Sequence, residues 1–587
     1  MAIGTGFKLS RRHVVVALSL IAFFVVGIFA WQAWTASRSL LDARDEAKTV
    51  QRLIKAGDFQ GANTELATLR SKTHKAHDAT DGILWDLAKH VPYFGRNVGA
   101  VQTVSAVLDT ATEVNAPIAL NLSRAVDGGV FRPVKGQIDL AQIARLTPQV
   151  DRAAASIQKA SADLDTIRDS KLVFPFNELV GDLKDEVERA RAASTATANA
   201  FDLMPQMLGN SGPRDYLLII QNPAELRATG GLPGSVAILH ADKGRITMGW
   251  QGSAGDINPF SSPVVKLPAD TLQQYGPTMA TDFRDINFTP DFPEAAQIAR
   301  AMVAQKLKVK VDGVVSVDPV ALAGLMMGTG PIDAGHGIAL TAANVVPVLL
   351  NRTYQAIQNP GEQDAFFENV ARKIFDAVTN GQGNQQLAIT GLANATDQHR
   401  VQLWSANAAE ETRLVGTAVG GSLDDRSKVP EVGMYINDST AGKMDYYLAY
   451  RSSLTAVDCR SDGAQDLRAS VGFTSNMPKD FSRLSDYIVG NGAFAPRGTI
   501  AFNLRFYAPY GGSITALSVN GESNSVTADK HHGRQVAFVP ISLKPQQQIV
   551  VTADIRTAKG QSGDGTFNFT PGLVSAPNGV RFTSACN

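Results

Sequence analysis

The sequence predicts a multidomain α+β chain: an N-terminal transmembrane helix, an α-helical bundle or stalk, a central α/β domain and a C-terminal β-sandwich. Three observations predict it. An uncharged apolar run lies near the N-terminus. Amphipathic helical patterning then continues to about residue 205. From Arg214 strands alternate with helices, and beyond residue 430 short Val-, Thr-, Tyr- and Phe-rich segments are separated by Gly, Asn and Pro. At 587 residues one hydrophobic core does not suffice, and about three or four domains are expected. The 55 basic and 55 acidic residues cancel, so the charge balance gives no sign of nucleic-acid binding.

The apolar run is Val14–Ala33, VVVALSLIAFFVVGIFAWQA, without a charge. At about 1.5 Å per residue it is long enough to cross a bilayer as a helix. Lys8, Arg11 and Arg12 precede it, and Trp31 and Trp34 stand at its far end as interface anchors. This predicts a cytoplasmic tail over 1–13, a span over 14–34, and a single-pass cell-membrane protein with its bulk extracytoplasmic. The rival is a cleaved signal peptide, disfavoured by the long apolar core and by tryptophans where small residues are needed.

Two cysteines, Cys459 and Cys586, fit an exported chain with one disulfide pinning the C-terminus; the alternative is two unpaired buried thiols. There is no CxxC and the nine histidines are scattered, so zinc is not expected. The adjacent His531 and His532, beside Lys530 and Gly533, read as a solvated turn.

Residues 35–211 form the extracytoplasmic helical region. LLDARDEAKTVQRLI and GANTELATLRSK are two amphipathic pieces broken at Ala56-Gly57-Asp58, like a helical hairpin. Val101–Ser123, Leu140–Arg168 and Phe176–Met204 continue the pattern, without a sustained heptad. The α/β domain occupies 212–400, with strands at Tyr216–Ile220, Val236–His240, Arg245–Gly249 and Asp312–Val317 and helices at Pro293–Gln305, Pro319–Met327, Ala342–Gln355 and Gln363–Thr379. A connector spans 401–429, and the sandwich spans 430–587.

Catalytic signatures are missing: no Walker A sequence, GxSxG, HExxH or Rossmann fingerprint occurs. Ser235 has no histidine placed to activate it. The informative stretch is Gln221–Ser235, QNPAELRATGGLPGS, a glycine-rich bend between two β-type runs that carries Glu225 and Arg227. Such a bend can offer backbone N–H groups and a guanidinium to an anion. Further charged candidates are Asp282, Arg284 and Asp285 in TDFRDINFTPDFP, with Asp291 at its end, then Arg300, Arg352, Asp364 and Arg372. Arginines converging with a carboxylate suit a pyrophosphate and a divalent cation. The bland reading of each is a strand cap, an ion pair or a solvated helix face.

NPAELRATGGLPGS, DGVVSVDPVALAGLM with its terminal TGPI, INDSTAGKMDYYL and WDLAKHVPYFG resemble an uncharacterised, domain-of-unknown-function family of membrane-anchored proteins, found mainly in actinobacteria. The central part also resembles, more remotely, the LytR-CpsA-Psr domain, whose enzymes attach glycopolymers from polyprenyl-pyrophosphate carriers to the cell wall. That resemblance implies pyrophosphate or metal contacts at Arg227, Arg352 and Asp364. The sequence departs from it in lacking the Asp-x-Arg after the first strand and in having Phe366 and Phe367 where paired arginines are expected.

The resulting expectation is a cell-envelope protein that binds a polyprenyl-pyrophosphate-linked glycan, with transfer, as a phosphotransferase or glycopolymer transferase, as the further step. Arg227, Arg284 and Arg352 would hold the pyrophosphate, and Asp282, Asp291 or Asp364 a Mg²⁺ ion. The alternative is a non-catalytic scaffold or polysaccharide-binding protein acting through the helical region and the sandwich, with other envelope proteins as partners.

Overall fold

The computed structural model describes residues 11–168, 171–335, 337–423, 429–575 and 579–586; for 11–26, 30, 37, 40, 41 and 44 it describes the backbone alone. The chain divides into two compact units, residues 1–130 with 141–202, and residues 131–140 with 203–587.

The first unit is helical, as its patterning requires. Arg11–Lys55 forms a single helix of 45 residues, followed by Phe59–Thr80, Ile83–Ala88, Gly95–Thr110 and Ala116–Asp127. The break at Gly57 is a turn with φ +74°, and Asp58 caps the next helix by accepting from the N–H of Gly61 at 2.8 Å. Ala43, Val50, Ala62, Leu66, Leu69 and Leu120 bury a seam between these helices.

The expected membrane anchor is not supported, and with it falls the single-pass cell-membrane placement. Among the described residues no helix is long and apolar enough to cross a membrane. The predicted span Val14–Ala33 is not an element of its own. It belongs to a helix that runs on to Lys55, whose polar second half packs Ala43 and Val50 against its neighbours. The side chains of residues 14–26 within that span lie outside the described set.

The second unit holds a mixed five-stranded sheet: β1 Arg214–Asn222, β2 Leu232–Asp242, β3 Arg245–Ser253, β4 Gly313–Val317 and β7 Val401–Ser405, ordered β3-β2-β1-β4-β7. Only β1 and β4 pair in parallel. The fifth strand arises from the stretch expected to be a connector. Its short run VQLWS places Trp404 opposite Val314 and buries it with Ala299 and Met302 of the helix Phe292–Leu307. Leu217, Ile219, Val236 and Ile238 line the same face, the period-two pattern of a covered strand. A two-stranded ribbon, β5 Ile332–Asp333 and β6 Ala339–Leu340, follows β4.

The rest of this unit is a sandwich of two six-stranded sheets. One is built around β8 Glu431–Asp438, β11 Ile500–Tyr507, β15 Arg534–Leu543 and β17 Gly565–Phe569, with short edges β14 Lys530–His531 and β19 Val580–Phe582. The other is built around β9 Leu448–Cys459, β10 Gln465–Ser475, β12 Ser513–Val519 and β16 Gln548–Arg556, with β13 Glu522–Asn524 and β18 Val574–Ser575 at its edges. Alternate residues of both, among them Ile436, Val471, Phe473, Phe502, Leu504 and Val551, form one core. Cys459 at the end of β9 is bonded to Cys586, so the C-terminus is tied to the sandwich.

Candidate functional site

The β1–β2 bend joins the mixed sheet to the sandwich. On the sheet side, the Gln221 side chain accepts from the N–H of Gly231 at 2.6 Å and donates to Ser316 Oγ on β4 at 2.5 Å. On the sandwich side, the N–H of Leu226 donates to Asp445 Oδ2 at 2.7 Å, and the N–H of Ala228 donates to Asn437 Oδ1 at 3.0 Å. The N–H of Asp438 returns a bond to the carbonyl of Leu226 at 2.9 Å. Glycine is required at 231: a Cβ there would sit 2.3 Å from the backbone carbon of Asn222.

Beside the bend lies a cavity of about 650 Å³, whose lining includes the charged residues Glu225, Arg227, Asp282, Arg284, Asp285, Asp364 and Lys443 and the aromatic residues Tyr354, Phe367, Tyr487 and Phe494. The structure therefore brings four predicted site residues to one cavity: Arg227, Arg284, Asp282 and Asp364. Two others are elsewhere. Arg352 is exposed and is not among the lining residues. Asp291 is the N-cap of the helix Phe292–Leu307, where its two oxygens accept the N–H groups of Glu294 and Leu423 at 2.9 Å each. A buried carboxylate spent on backbone donors is a structural cap, and D-F-P, an acid two residues before a proline at a helix start, is the sequence signal for it.

Each cation that lines the cavity is engaged by a carboxylate that also lines it. Arg227, 7% exposed, donates to Asp285 at 3.3 Å and to the carbonyls of Arg284 and Leu226 at 3.3 and 3.1 Å, and its guanidinium lies 4.8 Å over the Phe288 ring. Arg284 forks onto Asp282, which also accepts from Asn258 at 2.6 Å. Burial opposes the charge on Asp282, but Arg284 outweighs it and holds the carboxyl below its ordinary range. Lys443, 6% exposed, donates to Glu225 and lies 4.1 Å from the Tyr487 and 4.8 Å from the Tyr354 ring centres. Burial disfavours its charge, but Glu225 outweighs this and raises its pKa.

The remaining acids are pushed the other way. Burial raises Asp285. Burial and the neighbouring Asp256 raise Asp364, which is exposed on the helix Pro360–Thr379. Burial and Asp445 raise Asp438 well above its ordinary value. Asp438 Oδ1 accepts from Thr440, while its buried Oδ2 has no partner.

The predicted Mg²⁺ carboxylates do not converge. Asp282 is saturated by Arg284 and Asn258 and Asp291 by backbone, and among the described residues Asp364 shares no close group of potential ligands with either. Among the described residues, the one group of three potential ligands with donor atoms all within 4.8 Å of one another is Glu294, His531 and His532.

Sequence reasoning missed Lys443, Tyr354, Tyr487 and Asp438. Lys443 and Asp438 lay in the quoted INDSTAGKMDYYL, but more than two hundred residues from the bend, a separation that only the sheet–sandwich joint closes. It also placed His531 and His532 on a solvated turn. They do begin a hairpin turn between β14 and β15, yet His531 is fully buried under Tyr275 and Tyr507.

Residues 211–354 match a family model described as "Protein of unknown function (DUF4012)", which supports the resemblance to an uncharacterised family. The match runs from β1 and the bend through β2, β3, β4 and the β5–β6 ribbon to Tyr354. No curated protein and no solved structure matches the chain.

Proposed function

We propose that the cavity beside the bend binds a saccharide unit of a polysaccharide and carries out no transfer. The observation that supports this reading is that all three cations lining the cavity, Arg227, Arg284 and Lys443, are already paired with acids lining it. A diphosphate carries its own negative charge and would have to compete with Glu225, Asp282 and Asp285. A sugar does not. Its hydroxyls can donate to the paired carboxylates and accept from the paired cations, which are held in place by each other. Its apolar ring faces suit the aromatic wall of Tyr487, Phe367 and Phe494. Burial raises the Asp438 carboxyl and so favours its neutral form, which would offer a further donor.

A second reading, the diphosphate of a polyprenyl-linked glycan, keeps one observation in its favour: three cations on one cavity. It also draws on the resemblance to LytR-CpsA-Psr domains. No step is assigned to Mg²⁺, because the nominated carboxylates do not form a site for it.

Calorimetric titration separates the two. The full chain is titrated with neutral and amino-sugar oligosaccharides and with a short-chain polyprenyl diphosphate, with and without Mg²⁺, and the series is repeated on Tyr487→Ala and Arg284→Ala. Saccharide binding weakened about tenfold by Tyr487→Ala, a loss of about 1.4 kcal/mol, supports the first reading. Salt-sensitive diphosphate binding that Arg284→Ala abolishes, with no saccharide binding, would replace it by the second.

A further inference from the structure

We propose that Glu294, His531 and His532 form a binding site for a divalent transition-metal ion of the zinc class. It lies where the helix Phe292–Leu307 meets the β14–β15 hairpin of the sandwich. The site is separate from the saccharide cavity, whose lining includes none of the three residues.

Spacing is the first support. Glu294 Oε2 lies 3.4 Å from His531 Nε2 and 3.6 Å from His532 Nε2. These gaps are longer than the usual range of about 2.7–3.2 Å for an N–H···O hydrogen bond. They match two ligands that share one ion: bonds of about 2.0–2.1 Å at a tetrahedral angle put ligand atoms about 3.4 Å apart. Unmet bonding capacity is the second support. Glu294 Oε2 and His532 Nε2 are both buried without a hydrogen-bond partner, although the side chains are 10% and 29% exposed. Buried polar atoms left open in this way call for a missing partner, and here the two open atoms face each other.

The surroundings are those that orient metal ligands. Thr271 donates to Glu294 Oε1 at 2.6 Å, which leaves Oε2 turned to the histidines. His531 Nδ1 lies 3.0 Å from the hydroxyl of Tyr507, which lies 2.5 Å from that of Tyr275. A proton on Nδ1 donated to Tyr507 leaves the lone pair on Nε2, the tautomer a metal needs; that nitrogen also lies 3.3 Å from Thr271 Oγ1, whose proton goes to Glu294. Asp270 accepts the backbone N–H of His532 at 3.0 Å and fixes the turn. Three protein ligands leave a fourth position for water, reached past His532, whose side chain is 29% exposed. The competing arrangement is a bare ion pair, in which burial disfavours a charged His532 but Glu294 and Asp291 outweigh it and push its pKa up to about 9.

Tag-free full-length protein, stripped with a chelator, is titrated with Co²⁺ and then with Zn²⁺ in competition. The expected result is the intense visible absorption of tetrahedral Co²⁺ at one ion per chain, bleached by Zn²⁺, with a rise in melting temperature. Glu294→Gln and His532→Ala should each abolish the spectrum, and Thr271→Val should weaken binding about 10–100-fold by freeing the carboxylate. An exposed control, His74→Ala, should change nothing. The proposal is overturned if the wild type gives no tetrahedral spectrum, or if Glu294→Gln and His532→Ala, folded by circular dichroism, bind Co²⁺ as well as the wild type.

Discussion

The cavity beside the bend and the knot of Glu294, His531 and His532 are both charged places where the mixed sheet meets the sandwich, yet their polar accounts differ. At the cavity every cation has its carboxylate: Arg227 has Asp285, Arg284 has Asp282, Lys443 has Glu225. At the knot, a carboxylate oxygen and an imidazole nitrogen, both buried without a hydrogen-bond partner, face each other 3.6 Å apart, whereas the open atoms beside the cavity, Asp438 Oδ2 and Asp445 Oδ1, are both carboxylate oxygens. Cations already paired with acids can hold a shape and present it to a weakly polar ligand; an open carboxylate oxygen facing an open imidazole nitrogen asks for an ion. The density of charge alone does not distinguish them. Asking where each hydrogen bond goes does.

The sharpest way to break this comparison is to disturb the bend itself. If it is a joint first and a ligand wall second, Gly231→Ala should damage the whole second unit. The new Cβ meets the backbone of Asn222 and Pro223, which cannot give way as a flexible side chain would. The expected cost is about 3 kcal/mol or more. It is read as a lower urea midpoint for the transition reported by Trp250 and Trp404, the tryptophans of that unit. An unchanged midpoint would make the bend an ordinary tolerant loop.

Next in size is the buried pair. Lys443→Met should leave Glu225, 14% exposed in its side chain, without its counter-charge, at a cost of about 3 kcal/mol. Adding Glu225→Gln should recover much of the loss, because the uncompensated charge is gone while the shape is kept. If the double variant is no more stable than the single one, Lys443 matters through its packing on Tyr354 and Tyr487 and not through the ion pair.

How much of this was legible in the sequence follows from the range of the interactions. The bend, the strands around it and the acid–base clusters at 282–285 announced themselves, because turn chemistry and alternation are local. The sandwich and its Cys459–Cys586 bridge were readable for the same reason, from β-rich segments and a lone cysteine pair. What was not readable depends on long-range contact. Lys443 and Asp438 reach the bend through the bonds of β8 to Leu226 and Ala228, and no local pattern encodes that. Asp291 looked like a metal ligand, being an acid among acids, until its two oxygens were seen to cap a helix and the Leu423 N–H. Val401–Ser405 looked like linker because five residues are too few to show a period, and it became a strand by pairing with β4. The apolar N-terminal run misled in the opposite sense: a hydrophobic stretch was assigned a bilayer, whereas the structure continues it into a 45-residue helix packed on its neighbours.

The smallest effect tests whether the joint itself responds to pH. Asp445 is buried, donates no counter-charge to the cavity, and accepts the N–H of Leu226; burial pushes its carboxyl up to about 7. In the unfolded chain the same group titrates near its ordinary value of 3.8. Between these two values the folded state binds more protons than the unfolded one, so stability falls as pH rises through this window and levels off above about 7. Asp445→Asn keeps an oxygen for Leu226 but cannot ionise. Melting temperatures taken from pH 5 to 8 should therefore decline less steeply in the variant than in the wild type, with the two curves closest at the acid end. Parallel curves would mean that Asp445 stays ionised in the fold, its charge compensated by Arg227, and that the bend is held by a charged bond where a neutral one is inferred. That outcome would erase the contrast with the knot at this position, since both would then bury a carboxylate charge.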